Sequence, residues 1–240
     1  MALTKVIGAG VGSLTEDLAL SDSDKIKLGA GSDLQLYHDG SHSYIDEVGT
    51  GSLYVRASII RWTNADGSET LGGVDADGGW FLKANNSNAL VIDTNGHVTK
   101  PLQSAFMAQP GSQIANIATG ANEHLAFGTE RFDQNSDYNT STYQFTAPVT
   151  GKYMCNVNLY FVYLDSAVAY YELRIDTSNR DYYSIIDPDF GQDNTYFTLN
   201  FSQLVDMDAN DTCDINFHQQ GGTSQTDIQV ASVWSMYLVC

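Results

Sequence analysis

The chain has 240 residues, of which 42 % are hydrophobic and 17 % charged, with 11 basic against 29 acidic side chains and a formal charge of −18. That length carries one large domain or two smaller ones with real cores. Eleven Lys and Arg scattered over the whole chain argue against binding a nucleic-acid backbone or an anionic membrane surface, and no run reaches the roughly 20 apolar residues that cross a bilayer.

The opening Met1-Ala-Leu-Thr-Lys5-Val-Ile-Gly lacks a charged region followed by a sustained apolar stretch, so no secretory leader is expected. Gly8, Gly10 and Gly12 imitate a dinucleotide loop, but the third glycine comes one residue early and no sustained helix follows; a glycine-rich turn is expected. Ser13 and Glu16 have capping-box spacing for a helix of two turns at most. Elsewhere an apolar stripe of period 3.6 is hard to find. The 21 Gly, 14 Tyr and 10 Phe, set among Thr, Val and Ile, predict a chain that is almost all β.

Residues 30–100 read as short strands punctuated by Asp39-Gly40, Asp66-Gly67, Asp77-Gly78 and Asn95-Gly96, dipeptides that accept the positive φ of tight turns. Leu34 to His38 and Leu53 to Ile59 both alternate with period two. Strands this short and polar cannot build a deep core alone and would be completed by further copies. Lys100-Pro101-Leu102 is the expected junction, because Pro101 ends strand pairing. The charge is −6 before it and −12 after it.

From Ser104 the strands lengthen and gain aromatics. Tyr153, Cys155, Val157, Leu159, Phe161 and Tyr163 share one face of a predicted strand, and Ala169, Tyr171, Leu173 and Ile175 share one face of the next. Tyr and Val recur on the opposite faces too, which predicts a sandwich partly covered by a partner subunit. The three cysteines cannot all pair within one chain, and Cys155, Cys213 and Cys240 fit no zinc spacing. Cys155 reads as a small buried hydrophobe in a protein folded under reducing conditions.

Phe132 to Asn139, followed by Tyr143-Gln-Phe145-Thr-Ala-Pro148-Val-Thr-Gly151-Lys-Tyr153, resembles the signature of the complement component 1q globular-head family, relatives of the tumour-necrosis-factor jelly rolls. Phe145 would enter the core, Pro148 and Gly151 would make the reversal, and Tyr153 would open the long central strand. Met207 to Cys213 is similar to the family's later turn, with Asn210 where Gly is usual. Trp234 to Leu238 is similar to its last strand, with Met236 in place of Gly. The resemblance implies a ten-stranded jelly roll forming homotrimers over residues 104–240.

Gly31 to Ile45, Gly49 to Arg56 and Ala76-Asp77-Gly78 resemble repeats of marine bacteriophage tail-fibre proteins. This second resemblance implies a trimeric β-repeat shaft over residues 29–103 and an attachment segment over 1–28. The expected protein is therefore an all-β homotrimer on the surface of a phage particle, made in the host cytoplasm. Its N-terminal segment would meet a tail, portal or capsid protein, and its head would recognise the host surface. A capsid-decorating trimer is the alternative.

No enzyme chemistry, cofactor or metal is assigned. Asp206 to Asp211 opens like a calcium loop, but Asp211 stands at the sixth position, where Gly is needed, and Phe217 at the twelfth, where Glu is needed. His38, His42, His97, His124 and His218 have no Ser or Cys partner at recognisable spacing, and any two Asp could meet as a hydrolytic pair without one pair standing out. Tyr182 and Tyr183 beside Asp187 and Asp189, on a predicted loop, form the candidate glycan-binding cluster, with a host cell-surface glycan as ligand.

Overall fold

The computed structural model describes residues 17–240, so Gly8, Gly10, Gly12, the Ser13/Glu16 capping pair and most of the expected attachment segment lie outside the described residues. Every regular element among the described residues is a strand, and the chain divides after Ala57 into two compact units.

The first unit contains β1 (Lys25–Leu28), β2 (Leu34–His38) and β3 (Ser43–Glu47), an antiparallel sheet in that order. Period two places Ile26, Leu34, Leu36 and Ile45 on one face and Lys25, Tyr37, Tyr44 and Asp46 on the other. Tyr37 stacks on Tyr44 at 4.7 Å between ring centres, and the Lys25 ammonium sits 3.7 Å over Tyr37. None of the described residues of this unit is buried. Three strands of four or five residues have no second layer of their own to close the apolar face. Lys25–Leu28, at the end of the expected attachment segment, pairs into this sheet. The Leu53 to Ile59 alternation is not a strand, since no neighbouring strand pairs with it, and Tyr54 and Val55 stay exposed.

The second unit begins with a five-stranded meander: β4 (Ile60–Thr63), β5 (Thr70–Val74), β6 (Trp80–Ala84), β7 (Ser87–Ile92) and β8 (Val98–Thr99). Gly40, Gly67, Gly78 and Gly96 all adopt the positive φ that their Asp-Gly or Asn-Gly dipeptides predict. The turn at Lys100 to Gln103 follows β8.

Two sheets then face each other. One orders β11 (Thr129–Asp133), β9 (Ala105–Gln109), β20 (Val233–Leu238), β14 (Gly151–Leu164) and β17 (Asn194–Met207). The other orders β12 (Tyr138–Asn139), β13 (Gln144–Thr146), β18 (Thr212–Gln220), β15 (Tyr170–Thr177) and β16 (Asp181–Ile186). Short β10 (Asn122–His124) pairs with β18, and β19 (Asp227–Ile228) with β14. From β13 to β20 the chain passes repeatedly between the sheets, and every named pairing is antiparallel, so residues 105–238 form a jelly roll.

Its core is the pattern read from the sequence. Tyr153, Cys155, Leu159, Phe161, Tyr171, Leu173 and Ile175 have no exposed surface, and neither does Phe145. Phe106 stacks on Tyr138 at 4.4 Å and meets Trp234 edge-on at 4.9 Å; at the other end Phe161 and Tyr171 pack on Phe217. Met236 fills the position where the resemblance has Gly, fully buried between Cys155 and Phe106 of the neighbouring strands. Asn210 takes the left-handed conformation, φ +75°.

The alternation fails at Tyr163. This residue adopts φ +56°, which shifts the strand's phase so that Leu164 takes the inward position and Tyr163 is 58 % exposed. Ala169, expected inward, is exposed ahead of β15.

Candidate functional site

The two outer faces of the jelly roll differ in kind. On the β14 sheet, Met154 lies between Leu204 of β17 and Tyr237 of β20, and Tyr160 and Val162 lie beside Tyr196. Tyr160 and Tyr196 have ring centres 6.1 Å apart. Between these apolar clusters run Asn156, Asn158, Asn200, Ser202 and Ser235, with the Asn158 amide donating to Asn200. From the Lys152–Asp206 pair to Tyr196, no outward side chain of β14 or β17 is charged. Tyr196, Leu204 and Tyr237 are 67 %, 45 % and 45 % exposed. This face is uncharged on a chain whose formal charge is −18.

The β15 sheet is its opposite. Arg174 Nε lies 2.6 Å from Asp176 Oδ1, the Asn216 amide donates to both Asp176 and Asp214, and the Gln144 amide donates to Asp214. Burial pushes the Asp176 carboxyl above the usual carboxylate range, against the pull of Arg174, and Asp181 and Asp214 add to the rise. This face carries excess negative charge and is unsuited to meeting a second copy of itself.

Two further sheets leave apolar faces open. In the meander, Ile60, Trp62, Val74, Trp80, Leu82, Leu90, Ile92 and Val98 align on one face, and the Trp62 and Trp80 rings lie 6.3 Å apart. Arg61 and Lys83 cover Phe81 on the other side. In the first unit the open face is that of Ile26, Leu34, Leu36 and Ile45.

The four residues expected to grip a glycan do not form one cluster. Tyr182 points inward from β16, packs against the core and donates to Asp206 Oδ1 at 3.1 Å. Tyr183 points outward, near Arg174, and donates to Asp181 Oδ2 at 3.1 Å. Asp187 and Asp189 flank the buried Pro188 beyond the far end of β16. Adjacent residues on a strand face opposite sides, and Tyr182 and Tyr183 lie in β16, not in a loop.

Among the described residues no group of three or more His, Cys, Asp or Glu is placed to hold a metal ion. In the Asp206 to Asp211 segment the carboxylates take separate protein partners: Asp206 accepts from Arg180 and Tyr182, and Asp211 accepts from the Asp208 backbone. His38 flanks its turn, against Ser43, as a turn residue does.

Sequence reasoning missed the loop cluster at one end of the jelly roll. There Asp193 accepts from the Ser166 backbone and hydroxyl and from Gln225, contacts that hold its carboxyl below the usual range. Asp165, 3 % exposed, accepts from the Thr223 backbone and hydroxyl. Asp227 accepts from the Asn116 backbone, Oδ1 to N 2.7 Å, and from the Gln113 amide. These residues are up to 114 positions apart, and the one signal in the sequence is the broken alternation Val162-Tyr163-Leu164-Asp165.

No protein-family model and no curated protein matches the chain. Solved structures do. The globular domain of zebrafish complement 1qA is 13 % identical, with 57 % of this chain and 98 % of that one covered and a TM-score of 0.42. Murine APRIL at pH 8.5 is 7 % identical, with 57 % and 99 % covered and a TM-score of 0.42; at pH 8.0 it is 8 % identical, with the same coverage and a TM-score of 0.43. The jelly-roll assignment rests on the strand order and not on these scores.

Proposed function

We propose that the chain is a structural protein of a phage particle, a short homotrimeric fibre anchored through its N-terminal segment and presenting the jelly-roll head for host-surface recognition. The observation that carries self-association is the set of uncharged sheet faces, above all the Met154, Tyr160, Tyr196, Leu204 and Tyr237 surface on a chain of charge −18. Like-charged copies meet only where burial of apolar and aromatic surface outweighs repulsion. The open faces of the first unit and the meander fit a shaft in which each sheet is closed by the other copies. The phage assignment draws on the resemblance of residues 31–78 to tail-fibre repeats. No catalytic role is part of this reading.

Three copies of one head give three equal weak sites, and avidity turns them into useful affinity. Light scattering at micromolar protein is the first test; the expected mass is that of three chains, and a monomer would falsify the proposal. The second is a truncation lacking residues 1–28, which is expected to trimerise but to be missing from particles. Incorporation of that truncation would remove the anchoring role. A capsid-decorating trimer is the alternative and would be present in far more copies per particle than a fibre, which quantitative mass spectrometry of purified particles distinguishes.

A further inference from the structure

The loop cluster at the end of the jelly roll lines an open cavity of about 380 Å³, bordered by Asn116, Tyr163, Asp193, Asn194, Gln225 and Asp227 among others. That volume falls at the small end of the range of small-molecule sites, roughly 300–1,000 Å³. Its walls come from the loop after β9, the kink at the end of β14, the start of β17 and the loop between β18 and β19. They are tied together before any ligand arrives. Asp165 holds the Thr223 backbone, Asp193 bridges Ser166 and Gln225, and Asp227 holds the Asn116 backbone. Walls fixed in advance reduce the ordering cost of binding.

The lining has two parts. Tyr163 supplies an aromatic surface, exposed because its left-handed backbone takes it out of the core register. Around it, the side-chain amides of Asn116 and Asn194 and the Tyr163 hydroxyl make no hydrogen bond to another described residue, so donors and acceptors remain free to bind. The lining contains two carboxylates and neither Lys nor Arg, which disfavours an anion. A larger cavity, about 450 Å³, beside Pro148 and Asn210 has as its aromatic only the buried Tyr138 and offers no such surface.

We infer that this cavity binds a neutral pyranose sugar, whose C–H face stacks on Tyr163 while vicinal hydroxyls bond the Asn116 and Asn194 amides. The site replaces the Tyr182, Tyr183, Asp187 and Asp189 cluster as the head's glycan contact. It rests on the recognition role proposed above for its biological source of ligand, a surface glycan, but not for its chemistry. A free sugar and the end of a surface polysaccharide present the same ring.

The test uses the full chain and saturation-transfer NMR with glucose, galactose, mannose and N-acetylglucosamine, and with the anionic N-acetylneuraminic acid as control. At least one neutral sugar is expected to receive transfer at its ring protons, with a Kd on the order of 1 mM, and the anionic sugar none. Tyr163→Gly is expected to weaken binding about tenfold or more while leaving Tm unchanged or higher, because glycine adopts φ +56° freely. Asn194→Ala is expected to weaken binding with Tm unchanged. The inference is overturned by absence of transfer to every neutral sugar, or by transfer that both variants retain in full.

A second arm presents the bound sugar as a polymer on beads. Capture by the polymer, at protein concentrations where the free sugar leaves the site mostly empty, identifies a surface glycan met by several heads at once. Binding of free sugar without capture keeps the cavity and removes the recognition role. A trimer by light scattering that binds no sugar removes the cavity alone.

Discussion

Asp137 illustrates how a single residue carries a measurable penalty. Its Oδ2 and the hydroxyl of Ser104 are both buried and neither meets a partner at good hydrogen-bond geometry; burial raises the Asp137 carboxyl above the usual carboxylate range, against the pull of the neighbouring Ser104 hydroxyl and with Asp133 adding to the rise. A raised folded value means that the folded state holds the proton to higher pH than the unfolded chain. Stability from this group is therefore fully present below the unfolded value and is lost as pH rises through the folded one. Asp137→Asn, which removes the charge and adds a donor, is expected to raise Tm at pH 7 by roughly 1–2 °C, on the order of half a kcal/mol given the solvent that reaches the site. The gain should shrink as pH falls through the raised value. Thermal melts of both proteins from pH 3 to pH 8 check this. At the same scale, Asn210 was legible in the sequence because its side chain tolerates the left-handed turn, whereas Tyr163 was not, because nothing local to it favours a positive φ.

At the scale of elements, β14 is where the sequence speaks most clearly. Five of its inward side chains, from Tyr153 to Phe161, follow period two and are buried, because a strand with one face packed against the opposite sheet and the other facing outward alternates. Gly151 opens it, and the reason lies outside the strand: a Cβ there would stand 2.6 Å from the Cys240 carbonyl oxygen and 2.8 Å from Leu238 Cδ1. Gly151→Ala is expected to displace the C-terminal segment and to cost about 1–3 kcal/mol, read as a lowered midpoint in urea with an unchanged slope. The Leu53 to Ile59 segment teaches the converse. Its alternation is as regular as that of β2, yet a strand exists only where a neighbour accepts its hydrogen bonds, and that depends on residues distant in sequence.

At the scale of the whole molecule, the governing quantity is charge. In the proposed trimer, three copies at −18 bring together −54, two-thirds of it on residues after the Lys100 to Leu102 turn. Apolar contact has to overcome that repulsion, which salt screens over about 10 Å at 0.1 M. The trimer is expected to dissociate at about 10 mM salt and low micromolar protein and to re-form at about 0.5 M, as followed by sedimentation velocity. Placing charge on the uncharged face, with Tyr196→Asp and Leu204→Asp together, is expected to yield monomers at both salt concentrations while the far-ultraviolet spectrum stays that of a β protein. Both side chains are exposed in the single chain, so the fold does not depend on them.

The β class, the glycine turns and the inward faces of β14 as far as Phe161 and of β15 from Tyr171 were legible in the sequence, because each depends on neighbours one to four residues away, and the acidity follows from composition alone. The all-β jelly roll was legible through the Phe145 to Tyr153 motif, whose turn and core positions are local as well. Tertiary structure decided which residues meet across the chain. It separated Tyr182 from Tyr183 by the two sides of one strand, and it brought Asn116, Tyr163, Asp193 and Asp227 from four segments to one cavity. It also divided the acidic surface from the uncharged one. The charge of −18 is a property of composition, but its absence from the Met154 to Tyr196 face is a property of the strand register, and that register decides where a second copy can approach.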